Sequence, residues 1–116
     1  MDYDLEERTA KFGERVIIFI KSINDNYVNR PLISQIVRSS TSIGANYMEA
    51  NQGSSKKDFA NKIRICQKEA NETKHWLRMV AIANDDKKEI FRILWKEAHE
   101  LTLIFSKISR VCKINN

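Results

Sequence analysis

Seven residues in the second half of the chain recur at alternating intervals of four and three positions, the spacing of a helix that packs against other helices. They are Phe59, Ile63, Cys66, Ala70, Thr73, Leu77 and Val80. Such a seam keeps one side of a helix apolar over several turns. Sheet proteins need turn residues about every 8–12 positions, whereas this chain of 116 residues holds three glycines and one proline. The sequence therefore predicts an all-α protein.

The apolar spacing divides the chain into four helices, predicted at about residues 4–23, 31–50, 56–83 and 87–113. Ser55 followed by Asp58 resembles a capping box that starts the third helix at Lys56. Short connections make neighbouring helices antiparallel. We therefore expect residues 1–116 to form one domain, an antiparallel up-down-up-down four-helix bundle. The predicted buried stripes of helices one and four are Phe12, Val16, Phe19, Ile20 and Ile23, then Ile90, Leu94, Ala98, Leu101, Phe105, Ile108 and Cys112.

The segment from Ser39 to Gly44, SSTSIG, is poor in helix-forming residues but sits inside the second predicted helix. Apolar and small residues keep helical spacing through it, so we expect the helix to continue unbroken to about Ala50. Small side chains let another backbone approach closely. The segment therefore predicts a tight helix–helix contact, either within the bundle or between subunits.

Charge and composition limit the functional classes. Residues 54–84 hold seven basic and three acidic groups, while residues 1–25 hold four basic and six acidic groups. This basic second half is compatible with a polyanionic partner, although it also suits an ordinary solvated surface. No apolar run approaches a membrane span, and the acidic start is unlike a secretory signal, so we expect a cytoplasmic protein without a membrane partner. The two cysteines, Cys66 and Cys112, are interpreted as packed thiols.

Three segments together resemble a known family: SIGANYMEA at residues 42–50, SSKKDF at 54–59, and KEANET followed by Trp76-Leu77. The chain is similar to the four helix bundle proteins, also called 23S ribosomal RNA-intervening sequence proteins and formerly S23 ribosomal proteins. The resemblance covers nearly the whole chain; Ala50 stands where many members have glycine. It implies a non-enzymatic bacterial bundle that assembles as a homopentamer. The accessory variability proteins of diversity-generating retroelements look related, and those bind nucleic acid and a reverse transcriptase.

One spacing raises the question of metal chemistry. Glu72 and His75 form an E-x-x-H pair, as found in di-iron bundles, but such a site needs a second pair and two further glutamates. The other histidine, His99, lies only two residues from Glu97. We therefore expect no metal, no cofactor and no enzymatic activity.

Two candidate surfaces remain. The acids of helices two and three are expected to pair with Arg38, Arg64 or Arg78, in one chain or between subunits, or else to form a polar pocket. Trp76, Met79, Tyr47 and Trp95 are expected to be exposed and to need a partner, which favours a homo-oligomer with helices two and three at the interface. The candidate interface residues are Ser42, Gly44, Asn46, Tyr47, Glu49, Glu69, Glu72, Trp76 and Met79.

The basic residues predict electrostatic binding of RNA or DNA with little sequence preference. The alternative is a protein-binding assembly scaffold that does not contact nucleic acid. The candidate nucleic-acid-binding residues are Lys56, Lys57, Lys62, Arg64, Lys68, Lys74, Arg78, Lys87 and Lys88.

Overall fold

The described residues of the chain fold into four α-helices joined by short connections. The structure, a computed structural model, describes residues 2–53 and 55–115, and side chains for 4–53 and 55–113. The helices are α1 (Asp2–Ile20), α2 (Asn29–Asn51), α3 (Lys56–Ala83) and α4 (Lys88–Asn115), with a 3-10 turn at Asp85–Lys87. These described residues contain no strand, and no helix among them is long and apolar enough to cross a membrane. The predicted all-α four-helix fold is confirmed.

In neighbouring helices, residues near the start of one helix contact residues near the end of the other. Between α2 and α3, Lys62 bonds Glu49 near one end, Thr73 bonds Ser39 further along, and Asn84 bonds Asn29 at the other end. Between α1 and α4, Arg8 pairs with Glu97 while the rings of Phe19 and Phe91 meet edge to face, their centroids 4.6 Å apart. Neighbouring helices are therefore antiparallel. The predicted stripe of α1 is buried throughout.

Helix α2 runs unbroken through the serine-rich segment, as predicted. Its hydroxyl groups bond back to carbonyls one turn earlier: Thr41 Oγ1 donates to the Val37 carbonyl at 2.7 Å and Ser42 Oγ to the Arg38 carbonyl at 2.6 Å. Hydroxyls that would otherwise compete with the helix are satisfied inside it. A Cβ placed on Gly44 would lie 3.4 Å from the carbonyl carbon of Thr9 in α1. The close contact is therefore between α1 and α2 of one chain.

Several helix ends differ from the prediction by one to three residues, and hydrogen bonds account for two of these differences. Helix α1 ends at Ile20 rather than at about Ile23, because the amides of Ser22 and Ile23 bond to carbonyls three residues back, at 3.0 and 2.9 Å. Helix α2 begins at Asn29, where the side chain of Asn26 accepts bonds from the amides of Val28 and Asn29. Ser55 caps α3 as predicted, accepting from the Asp58 amide at 3.0 Å.

One apolar position in α4 was predicted wrongly. Ile90 is 46 % exposed, while its neighbour Phe91 is buried against Phe19. The larger ring of Phe91 fills the core at this end, and Ile90 is left facing solvent. From Leu94 to Phe105 the predicted stripe is buried, and Ile108 and Cys112 are partly buried.

Candidate nucleic-acid interface

The outer face of α3 carries a basic stripe. Lys57, Arg64 and Lys68 are separated by seven and four residues, which places them within about 40° of one another around the helix at 3.6 residues per turn. All three are exposed. Within the described residues none of them forms an ion pair, and the Arg64 guanidinium donates only to the side chain of its neighbour Asn61. We call Lys57, Arg64 and Lys68 the basic stripe.

The acids in the middle of α3 are directed away from this stripe. Glu69 is buried and accepts from the Arg38 guanidinium of α2 at 3.0 Å. Glu72 also pairs with Arg38, and it accepts a 3.1 Å hydrogen bond from the indole N–H of Trp76. The prediction that these acids meet Arg38 is confirmed, and the contact lies within one chain. Both carboxylates are therefore engaged by Arg38 of α2 and not by a cation of the basic stripe.

The other predicted basic residues do not join the stripe. Lys62 bonds Glu49 of α2 at 2.7 Å, and Lys88 lies 3.3 Å from Asp85. Lys87 is 3.9 Å from Asp86. These three charges are partly compensated by carboxylates. Lys74 and Arg78 lie on the α4 side of α3, and Lys56 is exposed at the first residue of the helix.

Two residues predicted at an oligomer interface lie elsewhere. Tyr47 was expected to be exposed but is 2 % exposed, and its ring packs against Phe105 with centroids 5.8 Å apart. It follows Ile43 by one helical turn and so belongs to the core stripe of α2. Gly44 faces Thr9 and Ala10 of α1 in the same chain. The predicted patch of Tyr47, Trp76, Met79 and Trp95 therefore does not exist as one surface.

The remaining interface candidates follow the crossing of α2 and α3. Ser42, Asn46, Glu72, Trp76 and Met79 are each partly buried, and Glu49 is exposed. Ile65 of α3, 38 % exposed, adds an apolar side chain to the outer side of this helix. We call this set, together with Glu69, the α2/α3 seam.

The E-x-x-H pair is divided between different contacts. Glu72 is engaged by Arg38 and Trp76, whereas the exposed ring of His75 meets the edge of Trp76 with centroids 4.9 Å apart. In the part of the chain that the structure describes, no group of three or more His, Cys, Asp or Glu side chains is placed to hold a metal ion.

Two clusters were missed by the sequence analysis. Arg8 of α1 donates to both carboxylate oxygens of Glu97, at 2.7 and 2.8 Å, and to Glu100 at 2.9 Å. The hydrogen bond to Glu97 raises the pKa of Arg8 above its usual range. In α4, Trp95 and His99 stack one turn apart. Their i, i+4 spacing was a signal in the sequence, but the cross-helix pairing of Arg8 depends on how α1 sits beside α4.

The fold and the basic stripe define a small antiparallel helical bundle with a cationic outer helix face. The family model for 23S rRNA-intervening sequence proteins matches residues 1–107, and the chain belongs to that family. No curated protein matches the chain. A crystal structure of a protein of unknown function from the S23 ribosomal protein family of Bacteroides thetaiotaomicron is 30 % identical, with a TM-score of 0.80. The similarity covers 94 % of this chain and 97 % of the other.

Proposed function

We propose that this protein acts by binding nucleic acid rather than by catalysis, in the cytoplasm, and that the basic stripe of α3 is the contact surface. The observation that carries the proposal is that Lys57, Arg64 and Lys68 share one exposed face and have no carboxylate partner among the residues that the structure describes. Unpaired cations attract phosphates without first breaking an ion pair. Binding of this kind is electrostatic and reads little sequence.

The dimensions of the stripe suit a phosphate backbone. From Lys57 to Lys68 the helix rises about 16 Å at 1.5 Å per residue. Duplex DNA presents about nine phosphates on its two strands over that length, at one per about 1.7 Å. Phosphates are therefore spaced closely enough for each of the three stripe cations to meet one.

We further propose that the chain forms a homo-oligomer through the α2/α3 seam, a pentamer if it follows the family it resembles. Trp76, Met79 and Ile65 supply apolar contact area along the seam. Each copy adds a formal charge of +5, so a ring of five would carry about +25 and repeat the stripe around it.

The binding proposal is tested with a short RNA duplex and a matched pair of charge reversals. Arg64→Glu with Lys68→Glu removes two stripe cations. Lys96→Glu with Lys107→Glu changes the net charge equally, but on exposed positions of α4. In low salt we expect the first variant to bind the duplex at least about ten-fold more weakly than the native protein. The second variant should bind several-fold better than the first.

Equal weakening by the two variants would show a diffuse charge effect and would reject the stripe as the contact surface. No binding by the native protein at low salt would favour the scaffold alternative instead.

A further inference from the structure

An open groove of about 440 Å³ lies between α3 and α4, beside the turn that joins them. Its floor is apolar and includes Leu77, Ala81 and Phe91. The cations Arg78, Lys88 and Arg92 line it, and no acidic side chain does so among the described residues. Lys88 lies 3.3 Å from Asp85 and Arg92 lies 3.5 Å from Glu89, both outside the groove lining, whereas Arg78 forms no ion pair within the described residues. The groove thus offers an apolar surface bordered by positive charge, which complements a ligand with a flat apolar part and attached anions.

The indole ring of Trp95 forms one end of the groove, and a neighbouring ring packs against one of its faces. Trp95 lines the groove and is 40 % exposed. The ring of His99 stacks on it, with centroids 5.1 Å apart and planes 12° from parallel. Lys74 Nζ lies 3.2 Å from His99 Nδ1 and 5.3 Å from the centre of the Trp95 ring. Trp95 is therefore held in place by residues on one side.

Trp95 lies between the groove and its His99 brace along α4. His99 lies one turn after Trp95 in α4, whereas Phe91 and Arg92, which line the groove, lie about one turn before it. The brace and the groove are thus on opposite sides of Trp95. A planar group entering the groove would find a fixed aromatic surface, with Arg78, Lys88 and Arg92 around it.

We infer that this groove binds an unpaired base of a nucleic-acid strand, with the base stacked on Trp95 and the flanking phosphates on Arg78, Lys88 and Arg92. The inference rests on the proposed function and adds a second contact that requires single-stranded character. A base inside a duplex is stacked on its neighbours and cannot offer its face to Trp95. An aromatic platform beside cations is the arrangement that single-strand-binding proteins use.

The test uses Trp95 as its own probe. The sequence holds two tryptophans, so Trp76→Phe leaves Trp95 as the only indole. We expect oligouridylate to quench Trp95 emission and the RNA duplex to leave it nearly unchanged.

In the native background, Trp95→Ala should weaken oligouridylate binding about 5- to 150-fold, the range for loss of one stacked base. The same variant should alter duplex binding less than about two-fold. Trp95→Phe should retain most of the affinity, and Ile93→Ala, at an exposed apolar residue of the same helix, serves as the matched control.

Each other result overturns the inference in a recognisable way. Unquenched Trp95 together with unchanged oligouridylate binding by Trp95→Ala rejects the groove while leaving duplex binding by the stripe intact. Quenching by uridine monophosphate as strong as by the oligomer assigns the groove to free nucleotides. Quenching by a glutamate-rich amphipathic peptide and not by RNA makes it a protein-docking groove. No binding of either RNA form rejects the proposed function as well.

Discussion

Of the two glycines in α1 and α2, Gly44 lies closer to the neighbouring helix than Gly13 does. A Cβ there would contact the carbonyl carbon and hydroxyl of Thr9, each at 3.4 Å, and the amide nitrogen of Ala10 at 3.5 Å. Two of these three neighbours are backbone atoms, which cannot rotate away. The position therefore limits side-chain size because of its neighbours and not because of its backbone angles, since no residue of the described chain has a positive φ.

We expect Gly44→Leu to lower the free energy of unfolding by about 1–3 kcal/mol, since added carbons in a packed contact force helices apart. Chemical denaturation measures this change. The neighbouring Ala45 is exposed, so Ala45→Leu is the matched control and should change stability little. An equal loss in both variants would contradict the close contact between α1 and α2.

Cys66 provides a second prediction at the scale of one residue. Its side chain is buried and donates to the Ile43 carbonyl at 3.5 Å, and burial raises the pKa of the Cys66 thiol to about 12. The thiolate is the reactive form, so at pH 8 the folded protein should keep this thiol protonated. The raised pKa contributes to the free energy of unfolding. This contribution is complete below the ordinary thiol pKa of 9.0 and is lost as the pH rises toward 12.

In a thiol-labelling experiment at pH 8, the partly buried Cys112 should react first and Cys66 only when the protein unfolds. The Cys112→Ser variant isolates the slow reaction. Rapid labelling of Cys66 in that variant, under conditions where circular dichroism shows native helix, would contradict the burial.

At the scale of helices, Arg38 ties α2 to α3 through Glu69 and Glu72. The Arg38 side chain is 45 % exposed, whereas that of Glu69 is 11 % exposed. Solvent screens the arginine, so the ion pair itself contributes modestly. Removing Arg38, however, leaves a nearly buried carboxylate without its charged partner, which is more costly than losing a surface pair.

We therefore expect Arg38→Ala to reduce the free energy of unfolding by about 1–2 kcal/mol. Arg30 provides a matched control, since it makes a comparable pair with Asp25 at 2.6 Å on the open surface. Arg30→Ala should leave the melting temperature unchanged within error. If thermal melting shows equal shifts for the two variants, the coupling of α2 to α3 through Arg38 is refuted.

The helices could be predicted from the spacing of apolar residues because each buried stripe lies within one continuous segment of the sequence. The unbroken course of α2 through Ser40 and Gly44 followed in the same way. The spacing could not predict which other helix packs against each side of a given helix. Tyr47 was misplaced because it closes the core stripe of α2, and Gly44 meets α1 because of how those two helices cross. The basic stripe was contained in a larger set of lysines and arginines, and only the structure shows which of them are paired with carboxylates.

The whole molecule is proposed to assemble through the α2/α3 seam. Ile65→Glu places a charge on this seam at a position that is 38 % exposed, so the helix should remain folded. We expect light scattering to show an oligomer for the native protein and smaller species for Ile65→Glu. Ile93→Glu, at an exposed isoleucine of α4, should leave the mass unchanged. A native protein that is monomeric at micromolar concentration would refute assembly.

The central claim is that unpaired cations of α3 neutralise phosphates, and the salt dependence of duplex binding tests it most directly. Each neutralised phosphate contributes about −0.9 to the slope of log affinity against log salt for duplex DNA. Between about 50 and 200 mM salt, Arg64→Ala with Lys68→Ala should therefore make the slope shallower by about 1.8 per binding stripe. The exposed pair Lys96→Ala with Lys107→Ala should leave it near the native value. An unchanged slope in the Arg64 and Lys68 variant, with binding otherwise intact, would contradict the account.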